Sequence, residues 1–289
     1  MNASQDTALT DPPHCCVIGH PISHSRSPII HGHWLASHGI KGRYSKLDVA
    51  PDALGDFAKA MRDGVWRGAN VTVPHKQTIA AHLDEMTDAA SKIGAANLLF
   101  VSDNRLVGDN TDFVGFLAHL DQTMPGWADR TQTALVLGSG GAARAVIYGL
   151  HQRGVSRITV VNRDQQRIAQ LAVALGIAVN AVDWSKADEA VGLADLIVNT
   201  TSLGMKGQPP LLLDLRTLRP GTIVDDIVYV PLITPFLADA ARRGAHIVDG
   251  LGMLLHQAAP AFARWFGVTP VVTPELRALV EADVMAGLK

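Results

Sequence analysis

Short apolar stretches alternate with amphipathic ones from residue 14 to the C-terminal end. The short stretches read as strands over residues 15–19, 43–49, 69–73, 95–101, 133–137, 178–182, 196–199 and 223–225. Helical patterns lie between several of them. Ser27-Pro28 reads as a cap followed by proline in the first turn, with Gly39 as the stop. Val146, Ile147 and Leu150 share one face of a helix that Gly154 ends. A helix opening near Asp164 carries Ile168, Leu171, Ala172 and Leu175 at helical spacing. Thr234-Pro235 and Gly244 bracket another. Thr273-Pro274 opens a last one bearing Leu276, Leu279, Val280 and Val284. Strands alternating with helices predict an α/β protein. QTMPGWADRTQT, residues 122–133, reads as a loop, so a boundary is placed just before it, near Asp112. A second crossing is placed near Asp249-Gly250.

Composition narrows the class. The chain has 289 residues, about two domains' worth, since one domain takes roughly 100–200 residues. It is 47% hydrophobic and 18% charged, which excludes a disordered chain. Lys and Arg number 25 against 27 Asp and Glu, so no basic surplus exists to neutralise a nucleic acid. Cys15 and Cys16 are adjacent and form no secreted disulfide framework. No uncharged apolar run approaches the roughly 18 residues of a membrane span. The first thirteen residues read as a polar tail without the features of a signal peptide. A cytoplasmic globular protein is expected.

Residues 133–163, TALVLGSGGAARAVIYGLHQRGVSRITVVNR, read as strand, glycine turn, helix, strand. Gly138-Ser139-Gly140-Gly141-Ala142-Ala143 matches G-x-G-x-x-A at the turn. Gly138 permits the turn, Gly140 lets backbone approach a pyrophosphate, and Ala143 lets helix pack on strand. The helix N-terminus offers amide hydrogens to phosphate. A dinucleotide is expected there, although a methyl-donor cofactor uses such loops too. The second strand ends in Asn162-Arg163 with no acid at its tip. NAD sites place an acid there, whereas the planar fork of arginine suits a ribose 2′-phosphate. Arg163, joined by Arg167 one turn on, therefore favours NADP(H). Asp164 stands against it as a neighbouring negative charge.

Three earlier segments are dense in hydrogen-bonding groups: GHPISHSRSP (19–28), NVTVPHK (70–76) and GDNTD (108–112). Each ends a predicted strand, where α/β sheets place ligands. They suit a small polyhydroxylated substrate. The alternative is plain capping and turn formation, by Ser27, Asn110 and Asp112 in particular. A metal site is a further candidate, because His14, His20, His24, His31, His33 and His38 cluster near Cys15 and Cys16. Their spacing matches no ligand motif, and His31 and His33 face different sides of a helix.

These segments in this order, followed by the glycine loop, resemble the shikimate dehydrogenase family. NTTSLGM (199–205), DIVYVPLITP (226–235) and GLGMLLHQ (250–257) agree, so the likeness covers nearly the whole chain from His14. It implies an N-terminal α/β substrate domain over residues 1–111, to which 250–289 return, and a Rossmann-type doubly wound dinucleotide domain over 112–249. It implies reversible, NADPH-dependent reduction of 3-dehydroshikimate to shikimate, an oxidoreductase step of aromatic amino-acid biosynthesis. By resemblance, Ser25 and Ser27 match the serines for the substrate carboxylate. Asn70, Thr72, Asn97, Tyr229 and Gln257 match other substrate contacts. Lys76 and Asp112 match the catalytic pair, and Met253 a residue near the nicotinamide. Cofactor contacts are expected from Gly138, Ser139, Gly140, Gly141, Ala142, Asn162, Arg163, Arg167, Thr200, Gly250 and Met253.

Three positions depart from the family pattern: Leu98 and Asp164, each where Thr is common, and Val230 where Asn is common. Asp164 leaves a dual-cofactor enzyme open, and a quinate/shikimate dehydrogenase using NAD is the nearest rival. A dinucleotide-binding regulator without turnover is the rival outside enzymes. A small-molecule substrate is expected, with the chain a monomer or homodimer. Lys76 follows Pro74 closely and is expected in the first turn of a helix, where the dipole disfavours a cation. Asp112 is expected to orient its ammonium.

Overall fold

The computed structural model describes residues 12–288. The polar tail expected over residues 1–13 falls almost wholly outside them. Two six-stranded sheets organise the chain. The first contains β1 (His14–Gly19), β2 (Arg43–Asp48), β3 (Gly68–Val71), β4 (Glu85–Met86), β5 (Leu98–Ser102) and β6 (Arg105–Asp109). Its order is β2-β1-β3-β5-β6-β4. β1 pairs in parallel with β2 and β3, whereas β5 runs antiparallel to β3 and β6. Helices α1 (Ser27–Ser37), α2 (Leu54–Arg62) and α3 (Asp88–Ile93) belong to this half.

α4 (Asp112–Thr123) and the short α5 (Trp127–Arg130) lead to the second sheet. That sheet contains β7 (Thr133–Leu137), β8 (Arg157–Asn162), β9 (Asn180–Asp183), β10 (Leu196–Asn199), β11 (Ile223–Asp226) and β12 (His246–Asp249). The order is β12-β11-β10-β7-β8-β9, parallel throughout. This is the doubly wound arrangement, whose crevice opens between β7 and β10 where the order reverses. α6 (Gly141–Gln152), α7 (Gln165–Leu175), α8 (Ala187–Val191) and α9 (Pro235–Arg242) accompany it. α10 (Leu251–Phe266) and α11 (Pro274–Ala286) then pack on α1: Leu251, Leu255, Phe262, Leu276 and Val280 share one core with Ile30 and Trp34. No helix among the described residues is long and apolar enough to cross a membrane.

Several elements differ from the sequence expectation. The strand expected over 95–101 is β5, and it turns back into an unexpected strand, β6, to form a hairpin. Asp103 and Asn104 both take positive φ, as a tight two-residue hairpin turn requires. The loop expected over 122–133 contains α5, whose Trp127 is buried and donates to Asp121 Oδ1 at 2.9 Å. Ser27 is not a cap: Arg26 stands at the N-cap of α1, Ser27 is already helical, and no side chain caps the end. By contrast Asp164, Thr234 and Thr273 do cap their helices, each accepting a backbone N–H.

α4 and α10 form the two chain passages between the sheets and pack closely. A Cβ on Gly115 of α4 would lie 2.6 Å from Gln257 Cβ and 2.7 Å from its backbone nitrogen on α10. Only glycine allows that approach.

Candidate active site

A cavity of about 420 Å³ lies between the two halves. From the first half come the loop after β1, the strand β3 and the turn that follows it. From the second come Ala142 and Met205, while α10 closes the floor with Met253 and Gln257. Ser25, Ser27, Asn70, Thr72, Lys76, Asn97, Asp112, Tyr229 and Gln257 all line it, together with Gly250. Residues as far apart as Ser25 and Gln257 are thus brought to one surface.

Lys76 Nζ donates to Asp112 Oδ2 at 2.7 Å. The lysine is partly exposed to the cavity and the aspartate is buried. Lys76 does not sit in the first turn of an α-helix. It occupies a turn before a 3-10 segment, Thr78–His82, so the helix dipole expected from Pro74 does not act on its ammonium. Its backbone is held instead by sheet-side pairing, Ala96 N donating to Lys76 O at 2.8 Å.

Behind the pair is a closed web of amides. Asn97 Nδ2 faces Asp112 Oδ1 at 2.9 Å, Thr111 Oγ1 at 3.0 Å and Gln257 Oε1 at 3.2 Å. Asn97 Oδ1 accepts from Thr111 N at 2.7 Å. Asn70 Nδ2 donates to Asn97 O at 3.1 Å, and Tyr44 donates its hydroxyl to Asn70 Oδ1 at 2.6 Å. Burial holds the Tyr44 phenol well above its ordinary pKa, so it stays a donor and sets which way the Asn70 amide faces. Ser25 Oγ and Ser27 Oγ lie 3.3 Å apart on the cavity wall.

The second crevice is at the C-terminal ends of β7, β8 and β10. Gly138 takes φ +105°, and a Cβ there would lie 2.9 Å from Thr200 Oγ1. Thr200 in turn donates to Leu137 O at 2.6 Å. Gly140 and Gly141 face open space, so backbone amides at the start of α6 are free to approach a ligand. Asn162 Nδ2 donates to Ser139 Oγ at 2.7 Å, tying the strand tip to the loop. Arg163 and Arg167 are exposed just beyond. Asp164 Oδ1 accepts from Arg167 N at 3.2 Å, which turns that carboxylate toward the helix end. These features fit a phosphorylated dinucleotide. No group of three or more His, Cys, Asp or Glu able to hold a metal ion occurs among the described residues.

Comparison with known proteins agrees with this geometry. Residues 17–99 match the family model for the shikimate dehydrogenase substrate binding domain, 122–205 that for shikimate / quinate 5-dehydrogenase, and 250–273 that for the shikimate 5′-dehydrogenase C-terminal domain. The chain is 54% identical over 276 residues to shikimate dehydrogenase (NADP(+)) of Methylobacterium radiotolerans, covering 94% of this chain and 98% of that one. The chain belongs to the shikimate dehydrogenase family. A shikimate 5-dehydrogenase from Thermus thermophilus, solved with NADP(H) and shikimate, superposes with a TM-score of 0.82 at 36% identity, covering 95% of this chain and 99% of that one. Quinate dehydrogenase from Corynebacterium glutamicum, solved with NAD, gives 0.86 at 29% identity, covering 94% and 99%.

Sequence reasoning missed several residues of this cavity and of the web behind it. Tyr44 lies near the start of β2, where nothing local marks it as a partner of Asn70. Thr111 stands inside the quoted GDNTD segment, yet its hydroxyl donates to Gln257 O at 2.8 Å, a contact no spacing reveals. Arg26, His24, Ile22 and Met205 line the cavity from within segments singled out for other residues.

Proposed function

We propose that the chain catalyses the reversible NADPH-dependent reduction of 3-dehydroshikimate to shikimate. The observation that carries this is the Lys76–Asp112 pair, 2.7 Å apart on the wall of a cavity that also reaches Ala142, just past the glycine turn of the dinucleotide crevice. When bound, NADPH supplies the hydride that adds to the ketone carbon. Lys76 donates a proton from its ammonium to the oxygen that gains negative charge, and takes one back in the oxidation direction. Asp112 holds that ammonium through Oδ2 and offers its remaining acceptor capacity to a ring hydroxyl. Asn97 keeps the Asp112 carboxylate in place and pairs with Gln257, and both amides also face the substrate. Ser25 and Ser27 hold the substrate carboxylate, with Asn70, Thr72 and Tyr229 completing the ring contacts.

Gly138 to Ala142 would hold the cofactor's pyrophosphate, and Thr200, Gly250 and Met253 would flank its nicotinamide end. Asn162 supports the loop, while Arg163 and Arg167 would receive the 2′-phosphate. The chain divides into a substrate unit, residues 1–111 with 250–289, and a dinucleotide unit, residues 112–249. The Gly115–Gln257 approach supports α4 and α10 as the common hinge. The enzyme works in the cytoplasm as a monomer or homodimer on a small-molecule substrate.

The test is steady-state turnover of shikimate and quinate with NADP+ and with NAD+. Shikimate with NADP+ is expected to give the highest kcat/KM. A preference for quinate with NAD+ would replace this reading with the quinate dehydrogenase one. No turnover of either acid would leave the chain a binding protein.

A further inference from the structure

We propose that Arg26 is the anion-selecting residue of the cavity, its guanidinium receiving the ring carboxylate of the substrate alongside the Ser25 and Ser27 hydroxyls. The inference rests on the shikimate reading above and adds a residue to it.

The charged residues on the cavity wall are Arg26, Lys76 and Asp112. Lys76 and Asp112 neutralise each other at 2.7 Å. Arg26 is left as the unbalanced charge on that wall. Its counter-ion, Asp283 of α11, does not line the cavity and is half exposed, with Oδ2 at 3.0 Å from Arg26 Nε. A carboxylate in contact with water is screened and neutralises a buried cation poorly. The alignment is also poor, for the buried Nε has no hydrogen-bond partner.

The guanidinium is nonetheless held in place. Nη1 donates to His24 O at 3.3 Å, and the guanidinium carbon lies over the Tyr229 ring, 5.7 Å from its centroid. Only 11% of the side chain is exposed. A guanidinium carries five donors in a fork that matches two carboxylate oxygens. A largely desolvated cation favours an anionic ligand over a neutral one of the same shape.

The experiment compares shikimate with its neutral methyl ester, using NADP+ and four proteins: wild type, Arg26→Gln, Arg26→Lys and Asp283→Asn. Arg26→Gln is expected to raise KM for shikimate about tenfold or more, with kcat and the ester's KM within about twofold of wild type. Arg26→Lys, which keeps the charge but not the fork, is expected to recover part of the loss. Asp283→Asn, which removes the counter-ion but keeps the cavity charge, is expected to leave KM for shikimate unchanged or lower. Should Arg26→Gln fail to fold, Arg26→Met keeps the packing on Tyr229 and gives the same readout. Three results would overturn the proposal: a wild-type KM in Arg26→Gln, equal losses on acid and ester, or an Asp283→Asn defect as large as that of Arg26→Gln. The last would mean that Arg26 only anchors α11. A wild-type enzyme inactive on both compounds sinks the shikimate reading and this inference with it, whereas activity without an Arg26 effect sinks the inference alone.

Discussion

The amide of Asn97 holds one oxygen of Asp112 at 2.9 Å and leaves the other to Lys76. Asn97 therefore acts on the ion pair from behind. Asn97→Leu keeps the volume but leaves Asp112 Oδ1 without that donor. A lost hydrogen bond to a charged group corresponds to roughly 1.5–3 kcal/mol, so kcat should fall roughly 10- to 100-fold. NADP+ affinity, measured by titration calorimetry, should be unaffected. Unchanged kcat would show that Asp112 needs no such support.

Lys76→Ala removes the proton donor. General acid–base groups supply roughly 10²–10⁴ in rate, so kcat should drop by about that factor. Lys76 is partly exposed but is the cation partner of the buried Asp112, so circular dichroism should match wild type while the urea midpoint falls modestly. Turnover near the wild-type level would remove Lys76 from the reaction.

Arg163 lies beside the crevice, and the neighbouring Asp164 carboxylate is engaged as the cap of α7. Arg163→Ala should raise KM for NADPH about tenfold and leave KM for NADH nearly unchanged. The ratio of the two specificity constants is the measurement. An equal loss with both cofactors would place Arg163 away from the 2′-phosphate.

His31 is fully buried and stacked on Tyr44, with ring centroids 4.1 Å apart and both ring nitrogens unpaired. Burial lowers its pKa to about 3, with the Asn70 amide opposing in part. The folded state thus keeps His31 neutral, while the unfolded chain binds a proton below the ordinary histidine value of 6.5. Stability is fully present above that pH and declines as pH falls from 6.5 toward 3. His119, held by burial at about 4, adds a slope of the same sign. His31→Phe keeps the stacking and should remove one proton's worth of slope, about 1.4 kcal/mol per pH unit. Urea melts from about pH 7 to about pH 5 test this, and parallel curves for variant and wild type would refute it.

The dinucleotide half is largely legible from local pattern. Its boundaries are marked by short-range chemistry: Asp164 and Thr234 cap helices, and Gly138, Gly154 and Gly244 take positive φ where helices or turns end. The first half is less legible. Asp103-Asn104 is a hairpin turn whose signal is weaker than one containing glycine, so only β5 is expected, over 95–101, and β6 is missed. Pro74 reads as a helix start, yet the chain makes a turn there before the 3-10 segment. The family resemblance reaches residue identities in the site that no local pattern supplies.

What the sequence by itself determined is most elements of the dinucleotide half and the glycine turn, because caps, turns and periodicity depend on neighbours within a few residues. Only the tertiary structure decided that Lys76 meets Asp112, that Tyr44 aims the Asn70 amide, and that Arg26 lies over Tyr229 on the cavity wall. Those contacts join segments far apart in the chain. Their geometry follows from sheet register and from the close crossing of α4 and α10 at Gly115, which long-range packing sets and no short window of residues contains.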